Sequence, residues 1–298
     1  MKYQRKQHRN RKTTINVGIT LVEVIVILFA IAALAALGLP AIQSMREQSR
    51  QTKCQYRLTQ IHTGLASYQV AQQHYPAGTI NPTSPVRSDE VGFHHNWVSA
   101  ILPKLDLMPL YEQIDFSVSV YDSRNDDVRR TPLPAVRCPS AFGMVSAAIS
   151  NYAGNQGSKE TAIDQSNDGV LFLNTTLTPD QITNGLDYTL FVSEKLSQGE
   201  EDLGWLSGTR ATLRNAGHPL ETTNTPTSVS PQESRQSDLF VGGFSSAHPN
   251  GAFLLMGSGR VRFFATDGDL QVLQQFAKRS DQPLEEERLE GKPAEDAE

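Results

Sequence analysis

Apolar positions are unevenly spread along this chain, and the most concentrated run comes early. From Ile19 to Leu39 the only strongly polar residue is Glu23. About 21 residues at about 1.5 Å each make a helix of about 30 Å, enough for a bilayer core. The pattern therefore predicts a transmembrane helix over 19–39. Beyond it, Cys54, Leu58, Ile61, Leu65 and Tyr68 recur at spacings of four, three, four and three. That is a single apolar stripe, predicting an amphipathic continuation of the helix over 40–78. Pro40 kinks this helix rather than ending it, and the breaker sequence Tyr75-Pro76-Ala77-Gly78 ends it.

The remaining segments are shorter. Asn81 to Glu90 reads as a Pro- and Ser-rich loop, and Trp97–Leu102 and Leu107–Ile114 as a helical pair split by Pro103. Ser123 to Arg130 reads as a charged loop, and the prolines from Pro132 to Pro139 space an extended segment. Strand candidates are Gly169–Leu173, Tyr188–Val192 and Gly251–Met256. The last leads through Gly257-Ser258-Gly259 into Arg260–Phe264, which predicts a β-hairpin with one buried face. Asn215 to Asp238 is almost free of apolar residues and reads as a flexible insertion. Leu270, Leu273 and Phe276 suggest a short helix, and 280–298 an acidic disordered tail. The expected fold class is α+β: a long N-terminal helix packed on an antiparallel sheet domain over 79–279, with loop insertions.

Charge fixes a direction for the first helix. Lys2, Arg5, Lys6, Arg9, Arg11 and Lys12 precede it with no acidic residue among 1–18. Such a cluster stays on the cytoplasmic side, which puts everything after Ala41 outside the cytoplasm. The expected location is the inner (cytoplasmic) membrane, single-pass, with a periplasmic or extracytoplasmic C-terminal domain. The whole chain carries −5; without the +6 leader it carries about −11, which argues against binding nucleic acid through phosphates. Cys54 and Cys138 would both lie where disulfides persist. Pairing across an 84-residue separation would stabilise by about 4 kcal/mol in the chain-entropy treatment; the alternative is two buried free thiols.

Candidate chemistry is sparse. His248 lies just before a predicted strand, where bonding to a turn is its commoner use and a base or ligand role the alternative. No recognised nucleophile–base frame accompanies it or Ser246, so no catalytic residue and no enzyme activity are expected. His94-His95 would point apart and suit a surface or loop. Asp267-Gly268-Asp269 reads as an exposed turn, and Asp122, Asp126 and Asp127 as a loose acidic group. Asp164-Gln165-Ser166-Asn167-Asp168-Gly169 offers the best oxygen set for calcium, through Asp164 and Asp168. No other cofactor is expected.

Gly18-Ile19-Thr20-Leu21-Val22-Glu23 with its apolar run resembles the N-terminal signal of type IV pilins and type II secretion pseudopilins, although Ile19 stands where that family usually has Phe. The resemblance implies a pilin-like fold, cleavage after Gly18 by a prepilin peptidase, methylation of Ile19, and Glu23 pairing with a neighbouring subunit's new N-terminus. The alternative is an uncut signal anchor with Glu23 at the interface. Gln60-Ile61, Tyr75-Pro76-Ala77-Gly78, Trp97 with Leu102-Pro103, Leu110-Tyr111, Cys138-Pro139-Ser140 and Ser150-Asn151-Tyr152-Ala153-Gly154 are similar to landmarks of the DUF1559 family of pseudopilin-like proteins. Its closing signature, His, nine residues, Asp-Gly, starts at His248 but meets Ser258-Gly259, so the family aspartate is missing.

Two functions follow as expectations. The first is a structural pseudopilin-like subunit of a type II secretion or type IV pilus-like system. Its partners would be the prepilin peptidase, other such subunits or itself, and the inner membrane. The second is a membrane-anchored extracytoplasmic ligand- or carbohydrate-binding protein, with Trp97 and Trp205 as candidate sugar platforms; the alternative for both is core packing.

Overall fold

The computed structural model describes residues 20–141, 148–197, 199–223 and 237–281, with the side chains of residues 37, 38, 40, 41 and 200 outside that description. The leader through Gly18, and Ile19 after it, lie outside the described residues, as do most of the expected flexible insertion and the acidic tail.

Helix α1 (Leu21–Gln72) opens the chain. It contributes to two compact units, Met1–Arg46 and Glu47–Glu298. In the first unit its apolar side chains are exposed, among them Leu21 at 77 %, Phe29 at 75 % and Leu34 at 72 %. Among the described residues no helix is long and apolar enough to cross a membrane; the unbroken run of described side chains in the apolar stretch goes from Leu21 to Ala36. In the second unit the predicted stripe is inward: Cys54, Leu58, Ile61 and Leu65 are all buried. The helix stops at Gln72, six residues short of the expected boundary. His74 to Gly78 instead form non-helical backbone, with Tyr75 N donating to Leu177 O at 2.8 Å and Gly78 N to Phe172 O at 2.9 Å.

Two-residue strands β1 (Thr79–Ile80) and β2 (His95–Asn96) pair antiparallel. Asn96 then caps α2 (Trp97–Ile101) through a capping box with Ser99. Helix α3 (Met108–Tyr111) follows. The segment read as a charged loop contains α4 (Asp126–Arg130), where Arg130 reaches Asp126 at 3.2 Å one turn away.

The central sheet has five strands in the order β5-β3-β4-β8-β9. These are β3 (Tyr152–Gly157), β4 (Leu190–Glu194), β5 (Leu213–Asn215), β8 (Gly251–Met256) and β9 (Val261–Ala265), with the short parallel pair β6 (Glu221–Thr222) and β7 (Ser245–Ser246) between. Most pairs are antiparallel, including the predicted hairpin, in which Phe253 faces Phe263. The sheet is nonetheless mixed, because β5 pairs parallel to β3. Gly169–Leu173 is no strand: its amides bond to Asn155 O and Gln156 O, while its apolar side chains fill the core.

Period-two alternation explains why β8 is buried throughout. Phe253 and Leu255 join the core containing the α1 stripe, while Ala252, Leu254 and Met256 join a second core with Leu273 and Ala277. The latter two lie on α5 (Leu270–Ala277), capped by Asp269, whose carboxylate accepts from Gln271 N at 2.8 Å. The sheet is thus covered on both faces. Strand β9 departs from the single buried face expected of it, since Val261 packs on one core and Phe264 on the other.

Candidate functional site

The densest group of chemically capable side chains gathers where α1 meets the start of β8. Helical spacing puts Glu47 and Cys54 two turns apart on one face of α1. Cys54 is joined to Cys138 in a disulfide, with Cα atoms 5.5 Å apart, a separation ordinary for such links. His248, which enters from the turn before β8, is wholly buried. Its Nδ1 lies 2.6 Å from Glu47 Oε1, and its Nε2 lies 3.2 Å from Glu194 Oε1 and 3.7 Å from Cys138 Sγ.

Glu194, at the end of β4, is oriented by its other oxygen. Oε2 accepts from Ser246 Oγ at 2.8 Å and from Phe253 N at 3.1 Å. Its Oε1 sits within ion-pair distance of the imidazole but outside hydrogen-bond geometry, and so has no hydrogen-bond partner. Glu47 also holds Arg50 at 2.9 Å and Ser140 Oγ at 3.2 Å. Burial works against the imidazolium, but Glu194 first and then Glu47 outweigh it and raise the His248 pKa. Burial likewise opposes the Glu47 carboxylate, yet His248 and Arg50 prevail and lower its pKa.

His248 therefore does more than bond to a turn. Its ring bridges two carboxylates, which favour its protonated form. Sequence reasoning singled out His248, Cys54 and Cys138 but missed Glu47 and Glu194, whose local contexts carry no motif. Among the described residues, Cys54, Cys138, Glu194 and His248 are the one group with three or more potential metal ligands in reach of one another.

Other candidates are placed elsewhere. Ser258 and Gly259 form the turn beyond β8, so the six residues of that strand, about 20 Å at 3.3 Å each, separate them from His248. Ser258 is exposed. Gly259 has φ +88°, and a Cβ there would lie 2.7 Å from the His62 ring, so this landmark serves a tight approach to α1. The calcium candidates are engaged otherwise: Asp168 accepts from Ser158 N at 2.7 Å and Ser158 Oγ at 2.5 Å, and Asp164 Oδ1 accepts from Gln165 N at 2.5 Å. Asp122 pairs with Arg124 at 3.0 Å.

His94 and His95 are buried, contrary to the surface role expected. His94 Nδ1 meets Tyr121 Oη at 2.9 Å, and burial pushes its pKa down to about 4. His95 Nε2 bonds Val118 O at 2.8 Å. Trp97 and Trp205 are fully buried, their Nε1 atoms donating to Thr212 O and Thr131 O at 2.9 Å. Core packing thus accounts for both, and neither presents a platform for a sugar. Glu23 lies in the first turn of α1, where its carboxylate accepts from Thr20 N at 2.8 Å and Thr20 Oγ1 at 2.9 Å while Glu23 N donates back to Thr20 Oγ1 at 3.3 Å. That is a capping box, legible as Thr20-x-x-Glu23 and missed in the sequence reading.

The described residues thus form a domain of helix and mixed sheet pinned by a buried disulfide, a histidine and two carboxylates. Residues 43–271 match the family described as a protein of unknown function, DUF1559, and the chain belongs to that family. No curated protein and no solved structure matches it.

Proposed function

We propose that the protein is a pseudopilin-like structural subunit, held in the inner membrane by α1 and assembled through that helix. The observation that carries this reading is the set of exposed large apolar side chains on α1 from Leu21 to Leu34, with Leu39 and Ile42 beyond them. Solvent exposure of so many large aliphatic groups is unfavourable at about 25 cal/mol per Å², so the segment needs lipid or copies of itself. The Lys/Arg cluster before it and the Gly18-Ile19 junction support cleavage by a prepilin peptidase. Freed of its leader, the subunit would present Ile19 as its N-terminus, with Glu23 able to exchange its Thr20 contacts for a neighbour's amino group.

The test is the mass of the mature protein recovered from membranes. A chain beginning at methylated Ile19 is expected, and Gly18→Ala should leave the leader in place. A wild-type chain found only at full length refutes the reading. Glu23→Gln should insert normally yet fail to assemble.

A further inference from the structure

Two further ligating side chains, Glu194 and His248, lie against the disulfide. We propose that, when the disulfide is reduced, Cys54, Cys138, His248 and Glu194 bind one zinc-class divalent cation, so that a covalent link and a metal link are alternative ways of fastening α1 at the same point. The potential ligand atoms all lie within 4.8 Å of one another. Thiolate, imidazole and carboxylate are the donors such a cation takes, four at a time and tetrahedrally. Bond lengths of about 2.3 Å to sulfur and about 2.0 to 2.1 Å to nitrogen and oxygen imply ligand separations of about 3.6 Å between sulfur and nitrogen and about 3.4 Å between nitrogen and oxygen. The structure has 3.7 Å from Cys138 Sγ to His248 Nε2 and 3.2 Å from that nitrogen to Glu194 Oε1.

Two independent details point the same way. Glu194 Oε1 is buried without a hydrogen-bond partner, while Oε2 is anchored by Ser246 and Phe253. A carboxylate held by one oxygen, with the other turned to the ring nitrogen that would share the metal, is arranged as a ligand. Glu47 lies 2.6 Å from Nδ1 of His248, the carboxylate-on-histidine arrangement that leaves Nε2 free to coordinate and tunes its basicity.

The chemistry balances with a dithiol as reductant. The Cys54–Cys138 bond takes up two electrons and two protons, and the dithiol leaves as its own disulfide. Metal binding then releases both thiol protons and the Nε2 proton to water, while the two sulfurs separate to about 3.8 Å across the tetrahedral edge.

The experiment adds Co²⁺ to the full chain in detergent, after reduction and removal of the reductant under anaerobic conditions, and follows its absorption and circular dichroism. Expected are a sulfur-to-cobalt charge-transfer band and intense tetrahedral visible bands at one metal per chain, absent from the oxidised protein and from Cys138→Ser. His248→Gln and Glu194→Gln should weaken binding at least tenfold, and Glu47→Gln about 10- to 100-fold. The His248, Glu194 and Glu47 variants are first shown to keep the wild-type circular dichroism in their oxidised forms, and Cys138→Ser to match the reduced wild type without metal. Absence of a thiolate band in the reduced wild type overturns the proposal. So does unchanged affinity in His248→Gln and Glu194→Gln, which would mean that two sulfurs of a loosened chain suffice. A reduced chain that stays unfolded with Co²⁺ present overturns it as well.

Discussion

Replacing both Cys54 and Cys138 by alanine tests how α1 is held to the domain. The two residues are 84 apart in sequence, so the link closes a loop that contains the last third of α1 and helices α2 to α4. Constraining a loop of that size in the unfolded chain is worth about 4 kcal/mol in the chain-entropy treatment. Both sulfurs are buried, so their loss removes some packing as well. For a domain of this size the urea dependence is about 3 kcal/mol per molar, and the midpoint should fall by about 1.3 M. The assay is urea unfolding of the full chain in detergent, followed by circular dichroism, with a chelator present throughout so that no metal substitutes for the link. The wild-type protein reduced under the same conditions should fall by a similar amount. A shift below about 0.3 M in the double variant would refute the reasoning, because the loop would then be closed equally well by packing of the Leu58, Ile61 and Leu65 stripe alone.

Two other perturbations follow from the same geometry. Raising of the His248 pKa means that its stabilisation is complete below 6.5, the ordinary imidazole value, and disappears as pH rises through the raised folded value. Lowering of the Glu47 pKa means that its contribution is complete above 4.5 and disappears as pH falls through the lowered folded value. The urea midpoint of the oxidised protein should therefore be highest between about pH 4.5 and 6.5 as far as this pair is concerned. Glu47→Gln should remove the acid limb and weaken the alkaline one, where Glu194 still favours the imidazolium, and an unchanged profile in that variant contradicts the assignment. Gly259→Ala places a side chain at φ +88° and 2.7 Å from the His62 ring. It should destabilise by about 2 kcal/mol, from about 1 to 2 for the left-handed backbone and the remainder for the displaced ring. A midpoint equal to that of wild type would show that the turn relaxes freely.

Local periodicity made much of the fold legible. The α1 stripe at Cys54, Leu58, Ile61 and Leu65 is buried as its spacing demanded, because a helix with one apolar face has one way to hide it. The hairpin around Gly257-Ser258-Gly259 and the helix at Leu270 are likewise local. Failures share a cause in long-range partners. The parallel pairing of β5 with β3 has no turn to announce it. Gly169–Leu173 is apolar enough for a strand, yet its amides are taken by Asn155 and Gln156. His94 and His95 read as surface residues until Tyr121 and Val118 provide buried partners.

The site divides in the same way. From the sequence alone came the apolar N-terminal helix, the two cysteines and the singular His248, because composition and spacing along one segment are enough to reveal them. Only the tertiary structure brought Glu47 to Nδ1 of that histidine, from 201 residues away, and turned Oε1 of Glu194 toward its other ring nitrogen. Such a meeting depends on how α1 lies across β4 and β8 within the domain. Packing of those elements, decided by the whole core at once, is a property that no stretch of sequence displays by itself.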